Sequence, residues 1–323
     1  MKRLKFNKKS IIIICIIIVL FMIFTFSHSK LTRSSFAFDT YISISIYDKA
    51  ISTRSKAKLI DEAFRICSEL DEKYSKTNPQ SEIYKHNNSR VELSDETKGL
   101  LESAAYFHLI SDGMFDVTIE SLTSLWDVKT RKDLPSKEAI DDAIDSIGAR
   151  YDFGAIIKGY ACDKVKEYLK SKSVKSAIIN LGGNIMCIGS KSLFTEFDIG
   201  IERPFSVSGK DIIKVLKIND KSVVTSGIYQ RYFKVDGDDK VYSHIINPKT
   251  GYPVDNNLYS VTVVSNSSLL GDMLSTTILL LNPSNEEMTE IIKKVNKDFS
   301  ESISVIVVDD KFAIHEFNTK SSL

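Results

Sequence analysis

The sequence has little cysteine for its length. Its 323 residues include four Cys, and Cys15 lies inside an N-terminal apolar run, which leaves Cys67, Cys162 and Cys187 for the rest of the chain. Three widely spaced cysteines form neither a disulfide framework nor a zinc-binding pattern. We therefore expect them to be small buried residues.

The sequence also lacks an excess of positive charge outside its first residues. Six of the 43 Lys and Arg residues lie in positions 1–30, which contain no acid, so 37 face 42 Asp and Glu in the rest of the chain. A mildly acidic body without a basic stripe is atypical of nucleic-acid-binding proteins, and we expect no nucleic-acid partner. With 43% hydrophobic and 26% charged residues, the composition is that of a globular protein and excludes a disordered one.

Residues 1–30 have the composition of a signal or membrane anchor. The basic start MKRLKFNKK is followed by sixteen apolar or near-apolar residues, Ile11 to Phe26. This run approaches the roughly 20 residues of a membrane span, and the basic flank favours a cytoplasmic N-terminus. The sequence predicts an uncleaved anchor with residues 31–323 on the extracytoplasmic side of the cell membrane, and cleavage after Ser29 is the alternative. Lipidation of Cys15 is not expected, because bulky Ile residues precede it.

No linker, low-complexity segment or repeat divides the chain beyond about residue 36. Periodicity and capping residues predict helices at about 52–76, 94–113, 136–148, 158–171, 269–281 and 285–297. Strands are predicted at FAFDTYISISIYD and, mostly in the second half, at SAIINL, FDIGIE, VVTSG, RYFKVDG, KVYSHII, LYSVTVVS and SVIVVDD. Helices that cluster early and strands that cluster late favour an α+β fold.

Two segments combine the residue types of a phosphate and metal site. In YDFGAIIKGYACDKV, a Gly-bearing loop with Lys158 opens a helix, whose free N–H groups favour an anion. In GDMLSTTILLL, Asp272 and Thr276 are four residues apart and share a helix face, where their oxygens can bind Mg²⁺. Structural alternatives exist for both, namely a tight Gly turn with a solvated Lys, and a helix cap with Thr276 bonded to a backbone carbonyl.

Four further segments indicate a function only in combination. The adjacent glycines of INLGGNIMCIG can form a hairpin turn or admit a ligand close to the backbone. The hydroxyl groups of VVTSGIYQRYF suit either anion or flavin contacts or a surface turn, and DGMFDVTIESLTSLWD carries the single Trp. The stretch SHIINPKTGYPV places His244, one of five His, where an apolar run breaks into a turn.

Taken in order, these segments resemble the ApbE-type FAD:protein FMN transferases. The matching pattern is Asp-x-Gly-Ala-x-x-Lys-Gly-Tyr, Asn-x-Gly-Gly, Thr-Ser-Gly, His-Ile-x-Asn-Pro-x-Thr-Gly-x-Pro and Asp-x-Leu-Ser-Thr. The resemblance runs from about Phe36 to Glu316. It implies one T-fold-like α+β domain over residues 31–323, with antiparallel sheets flanked by helices.

The resemblance also implies an activity. Members of this family bind FAD as substrate, with Mg²⁺, outside the cytoplasmic membrane. They transfer FMN through a phosphoester to a Thr hydroxyl in an exported acceptor protein and release AMP. Two alternatives are a Mg²⁺-dependent FAD pyrophosphatase that yields FMN and AMP, and an FAD-binding protein without turnover.

Individual site residues follow from the matching motifs. FAD contacts are implied for Phe38, Thr77, Met114, Phe115, Asp116, Asp152, Lys158 and Ile245. Metal ligands are implied at the Ala155 carbonyl and at the side chains of Asp272 and Thr276. His244 is the candidate catalytic base, since the unperturbed pKa of histidine is about 6.5 and a Thr hydroxyl is a poor nucleophile at neutral pH.

The sequence departs from the family pattern in three places. Phe38-Asp39 replaces the usual Met-Gly, Thr77 stands where an aromatic residue often packs on the flavin, and Asn247 replaces the more usual Asp. We expect weaker flavin contacts at the first two positions and a weakening of any role that needs a charge at Asn247.

Overall fold

The computed structural model describes residues 30–207 and 211–318, together with Ile14 and Ile16. The predicted anchor over residues 1–30 therefore lies almost wholly outside the described residues. Within the part of the chain that is described, no helix has the length and apolar character to cross a membrane.

Most of the described helices begin at polar caps and bury one apolar face. Six of them have a Ser at the N-cap whose side chain accepts a backbone N–H of the first turn, as for Ser52, Ser94 and Ser136. The helices are Thr53–Tyr74 (α1), Glu82–Ser89 (α2), Asp95–Ile110 (α3), Glu120–Trp126 (α4), Lys137–Asp145 (α5), Ile157–Ser171 (α6), Ser268–Leu281 (α7) and Asn285–Phe299 (α8).

The strands form one large antiparallel sheet and two small ones. The large sheet has the order β1-β2-β3-β4-β7-β10-β11-β12, and the pairs β5-β6 and β8-β9 stand apart from it. The strands are Leu31–Ala37 (β1), Thr40–Ile46 (β2), Ala177–Leu181 (β3), Asn184–Ile188 (β4), Phe197–Glu202 (β5), Ile212–Ile218 (β6), Ser222–Gly227 (β7), Tyr232–Phe233 (β8), Tyr242–Ser243 (β9), Leu258–Ser265 (β10), Ser304–Asp309 (β11) and Ile314–Asn318 (β12).

The two faces of the large sheet are covered by different elements. Helices α1, α6 and α7 pack on one face, with Ile44, Ile179 and Val263 buried in the main core. On the other face Cys187, Val223 and Val264 pack against Phe197, Ile199 and Ile218 of the β5-β6 pair. Alternating side chains of the central strands thus enter separate cores. Cys67, Cys162 and Cys187 are buried and free, which confirms their prediction as small core residues.

The predicted α+β architecture, an antiparallel sheet flanked by helices, is confirmed. One predicted strand was wrong in detail, because FAFDTYISISIYD forms two strands joined at Phe38-Asp39, both with left-handed backbone. The predictions also omitted α2, α4, β4, β6 and β12.

The register of the large sheet gives it two distinct ends. Leu31, Ile46, Ala177 and Ile188 lie in one row across four strands, and we refer to this end as the Lys30 end. The turns at 38–39 and 182–183 and the end of β7 lie at the opposite end. These turns border a large cavity, so we call the second end the cavity end.

Candidate active site

A cavity of about 960 Å³ opens at the cavity end. This volume lies in the range of small-molecule and cofactor sites. All twelve residues assigned to FAD, metal or catalysis from the sequence line it, although they come from segments as far apart as Phe38 and Thr276. The individual roles of these residues remain predictions.

The inner wall of the cavity is the contact between the starts of α6 and α7, with Lys158, Gly159 and Asp272 at its centre. A Cβ at Gly159 would lie 2.5 Å from the Ser268 carbonyl oxygen, so only glycine permits this approach of the two helices. Asp163, one turn further along α6, accepts hydrogen bonds from the Ser268 N–H at 2.8 Å and the Leu269 N–H at 3.0 Å. The start of α7 is therefore fixed to α6 by packing and by backbone capping.

This helix contact also satisfies a backbone N–H in the first turn of α6. Gly159 is the third residue of α6, so its N–H has no carbonyl acceptor within the helix. It donates to Asp272 Oδ2 at 2.9 Å. Ala155 precedes the helix and lines the same cavity, so its carbonyl is a candidate ligand for a cation.

Asp272 is a buried carboxylate whose charge is incompletely balanced. Its exposure is 3%, and Lys158 Nζ stands 3.8 Å from Oδ1, beyond hydrogen-bond distance. Burial raises the pKa of Asp272, and Lys158 and the Gly159 N–H offset that rise only in part. Such a carboxylate is stabilised by a cation bound beside it.

The donors around Asp272 fit Mg²⁺ in kind and in number. Among the described residues, no three His, Cys, Asp or Glu side chains group together as a metal cage. Mg²⁺ is commonly bound through one or two carboxylates and completed by water and substrate phosphates. One carboxylate, one hydroxyl and one carbonyl, from Asp272, Thr276 and Ala155, match that mode of binding.

A chain of hydroxyl groups orients Thr276. Ser226 Oγ lies 3.1 Å from Thr276 Oγ1 and 2.8 Å from Ser275 Oγ, and Ser275 donates to the Asp272 backbone carbonyl at 3.2 Å. Because the Ser275 hydroxyl donates to that carbonyl, its oxygen can accept a hydrogen bond from the Ser226 hydroxyl. The Ser226 oxygen can then accept a hydrogen bond from the Thr276 hydroxyl. The lone pairs of Thr276 Oγ1 are then directed away from Ser226 and are available to a cation.

The Lys76 ammonium group holds the Asp152 carboxylate in its ionised form. Its Oδ2 lies 2.9 Å from Lys76 Nζ and accepts from Thr123 at 2.6 Å, while Oδ1 accepts from the Gly154 N–H at 2.8 Å. Burial alone would raise the pKa of Asp152, but Lys76 and these hydrogen bonds outweigh burial and hold the pKa below its usual value. The carboxylate thereby fixes the loop that carries Ala155.

His244 lines the cavity as a neutral imidazole. Its Nδ1 lies 3.2 Å from the Arg231 carbonyl oxygen, which can only accept, so Nδ1 carries the proton and Nε2 is the basic nitrogen. Burial, with the charges of Arg231 and Lys158, lowers the pKa of His244 to about 4. The ring is therefore unprotonated at neutral pH, as a general base requires.

The turn that follows His244 explains why Asn247 can replace Asp. Asn247 Oδ1 accepts the Lys249 N–H at 2.9 Å and the Thr250 N–H at 3.3 Å, and the Gly251 N–H donates to the Asn247 carbonyl at 2.8 Å. An amide oxygen and a carboxylate oxygen both accept such bonds. Trp126 Nε1 supports the same turn by donating to the Gly251 carbonyl at 2.6 Å.

The rim of the cavity comprises Phe38–Thr40, Thr77 and Lys129. The Phe38 N–H donates to Asp71 at 2.9 Å, and the Phe38 carbonyl accepts from Arg231 at 3.1 Å, which hold this left-handed turn in place. Asp39 forms an exposed ion pair with Lys129, and Thr77 is exposed. The rim therefore contains the departures from the family pattern at Phe38, Asp39 and Thr77.

Several cavity residues were not assigned a role from the sequence. Lys76 gave no signal, because a lysine after a helix is usually solvated. Ser226 and Arg231 belonged to a recognised segment, but their hydrogen bonds to Thr276 and to the carbonyl of Phe38 cross from one element to another. Such contacts between distant segments are visible only in the folded chain.

The chain is similar in sequence to several proteins that carry the same name. An FAD:protein FMN transferase of Klebsiella pneumoniae (strain 342) is 38% identical over 206 residues, which cover 58% of this chain and 62% of that protein. The FAD:protein FMN transferase of Vibrio cholerae (strain O395) is 28% identical over 272 residues, covering 77% of this chain and 79% of the relative.

Solved structures show the same fold. The ApbE protein of Thermotoga maritima superposes with a TM-score of 0.76 at 26% identity, over 89% of this chain and 96% of that one. The flavin transferase ApbE of Vibrio cholerae gives a TM-score of 0.74 at 25% identity, over 91% and 98%. The ApbE family model matches residues 38–299, which include every residue assigned to the site, and the chain belongs to the ApbE family.

Proposed function

We propose that the protein is a Mg²⁺-dependent FAD:protein FMN transferase. It moves FMN from FAD to a Thr hydroxyl of an exported acceptor protein and releases AMP. The observation that carries the proposal is the inner wall, where the buried Asp272 carboxylate lies beside Lys158 at the start of a helix and Ala155 lines the same cavity. This arrangement suits a cation bound together with a pyrophosphate.

Lys158 and the cation site act on the charge of the pyrophosphate. A bound Mg²⁺ would neutralise charge that develops on the phosphate oxygens and would fix their position. Lys158 has a side chain that is one-fifth exposed to the cavity and adds a second positive charge to the same place. The first turn of α6 directs its positive dipole end towards the anion.

His244 removes the proton of the attacking hydroxyl. The Thr oxygen forms a bond to the phosphorus of the FMN half, and the bond from that phosphorus to the bridging oxygen breaks. The bridging oxygen leaves with AMP, and the hydroxyl proton passes to His244 Nε2. A neutral imidazole held by the Arg231 carbonyl is ready to accept it.

We infer that the enzyme acts on the extracytoplasmic side of the cell membrane. The basic start and the apolar run of residues 11–26 support this location. The acceptor is then an exported protein that presents its Thr in a segment able to reach the cavity.

The test is an incubation of the full chain with FAD, Mg²⁺ and a candidate acceptor domain, followed by separation of nucleotides and protein. Transfer predicts AMP together with flavin covalently bound to the acceptor, and neither product after chelation of Mg²⁺. AMP with only free FMN would indicate a hydrolase, and absence of AMP would indicate binding without turnover. Either of these two results would overturn the proposal.

A further inference from the structure

Two large apolar side chains project from the Lys30 end of the sheet. Leu193 and Phe194 are 87% and 93% exposed and form the tip of the loop between β4 and β5. Ser192 and Thr195 exchange backbone hydrogen bonds at 3.1 and 3.3 Å, so the tip is a closed turn. A surface normally shows single apolar residues, whereas two adjacent ones on a projecting turn indicate a contact site.

The base of this turn lies where the described chain begins. Lys30 Nζ stands 4.8 Å from the centre of the Tyr47 ring, and Tyr47 packs edge-on against Phe197 at 5.2 Å. Ser176 Oγ donates to the Ser190 carbonyl at 2.6 Å and holds the start of the loop. The segment of residues 1–29, with its apolar run at 11–26, is therefore attached at the same end of the molecule as the apolar turn.

The charges around the turn complement an anionic surface. Lys30, Lys49, Lys175 and Lys191 are exposed at this end. Two nearby acids are engaged locally, because Asp48 accepts the Lys175 N–H at 3.0 Å and Asp220 accepts the Gly189 N–H at 3.0 Å and pairs with Lys170. Glu196 is an exposed acid among them. Lysines around an apolar tip are the pattern of proteins that rest on anionic lipid.

We propose that the Leu193–Phe194 turn inserts into the interface of an anionic membrane and sets the orientation of the anchored protein. The inference rests on the anchor included in the proposed function. Two apolar side chains bind a membrane weakly when free in solution, but a tether makes their insertion intramolecular and raises their effective concentration.

The orientation has a consequence for access to the cavity. The turn and the cavity lie at opposite ends of strands that are five to seven residues long, or about 20 Å apart at roughly 3.3 Å per residue. With the turn on the membrane, the cavity faces away from the lipid. An exported acceptor then reaches the cavity without passing between the protein and the bilayer.

Tryptophan quenching by lipid tests the proposal. The full chain carrying Phe194→Trp is reconstituted into phosphatidylcholine–phosphatidylglycerol vesicles whose phosphatidylcholine is brominated on the acyl chains. Trp126 is the single native Trp and is buried, so it supplies a low background. The matched control is Leu109→Trp, at a side chain that is 78% exposed and lies five residues before the cavity residue Met114.

We expect brominated lipid to reduce the added emission of the Phe194→Trp variant about twofold and to leave the Leu109→Trp control almost unchanged. Replacing Lys175 and Lys191 with Glu in the Phe194→Trp background should weaken this quenching. Equal quenching at both positions, or none at 194, would overturn the proposal. Blue-shifted emission at 194 without quenching would place the turn against protein, such as a second copy, and would overturn it as well.

Co-flotation of the chain with lipid vesicles distinguishes the proposed membrane contact from the proposed anchor and the proposed transferase activity. If the full chain does not float with the vesicles, the anchor and the membrane contact both fail, while the transferase activity is measured independently in detergent as flavin covalently bound to the acceptor. If the chain floats but position 194 is not quenched, the membrane contact alone fails.

Discussion

The inner wall of the cavity and its rim are held by different kinds of contact. The inner wall is buried, and its groups are fixed by the close approach at Gly159, by the Asp272 bond to a backbone N–H and by the Asp163 cap. The rim depends on an exposed ion pair and a left-handed turn, and Thr77 adds no aromatic surface to it. The groups of the inner wall are thus fixed by contacts within the chain, whereas the rim includes exposed contacts and the departures at Phe38, Asp39 and Thr77.

The largest effect is expected from removing the buried charge of the inner wall. Asp272→Asn keeps the shape but removes the carboxylate, so AMP release should fall at least 10³-fold and Mg²⁺ should no longer raise the melting temperature. The control is Asp163→Asn, a half-buried carboxylate between the same helices but outside the cavity lining. It should lower the melting temperature and keep the Mg²⁺-dependent shift. An unchanged Mg²⁺ titration in Asp272→Asn would contradict the assignment.

The second effect concerns the proton acceptor. His244→Ala should lower the rate of transfer by about 10²–10⁴-fold and leave FAD affinity within a few-fold of the parent protein, since general-base catalysis contributes that much. Single-turnover transfer and an FAD-binding titration measure the two effects separately. His315→Ala, at a surface histidine paired with Asp309, is the control and should behave like the parent. Full transfer by His244→Ala would exclude the base.

The pH dependence sharpens the same assignment. In the folded chain the pKa of His244 is lowered to about 4, whereas in the unfolded chain it is about 6.5. Between these two pH values the unfolded chain therefore binds a proton at His244 that the folded chain does not bind. Folding stability should therefore decline as the pH falls through this window. The kcat/KM for FAD should stay level from pH 8 to about 5, and a profile with an inflection near pH 6.5 would be incompatible with the observed environment.

A smaller effect is expected from disturbing the packing of the inner wall. Gly159→Ala places a Cβ against the Ser268 backbone and should destabilise the protein by about 1–3 kcal/mol, as overpacking does. Thermal unfolding and Mg²⁺ affinity would both report the change. Gly99→Ala in α3 meets nothing within 4 Å and should be neutral or slightly stabilising. Equal stability of the two variants would refute the close-contact argument.

The smallest effect belongs to the rim. Lys129→Gln breaks the exposed pair with Asp39, and exposed ion pairs contribute little. FAD affinity should change less than about threefold, and the difference should shrink further at high salt. A loss comparable to that of Asp272→Asn would remove the distinction between the two parts of the cavity.

The sequence predicted the parts of the fold that carry a long periodic pattern or a clear cap. Helices α1, α6 and α7 and strand β10 fall close to their predicted positions. Strand β12 was missed because its residues are mostly exposed and show no apolar alternation, and α4 was missed because seven residues are too few to reveal a helical period. The turn at Phe38-Asp39 has neither Gly nor Asn to mark its left-handed backbone.

The site was predictable as a set of residues but not as an arrangement. The ordered motifs named twelve side chains that share one cavity, yet spacing along the chain could not show that the Asp272 carboxylate takes the Gly159 N–H. Nor could it show that Lys76 neutralises Asp152, or that the side-chain oxygen of Asn247 accepts backbone N–H groups of a turn. These contacts depend on which helices and loops the sheet brings together.

The most direct test of the account is the intact mass of the acceptor after incubation with the protein, FAD and Mg²⁺. We predict that the acceptor gains the mass of one FMN less one water, as a phosphoester on Thr requires, and that the gain disappears with EDTA, with Asp272→Asn and when the acceptor Thr is replaced by Ala. An acceptor whose mass stays unchanged while AMP accumulates would contradict the transfer of FMN to protein.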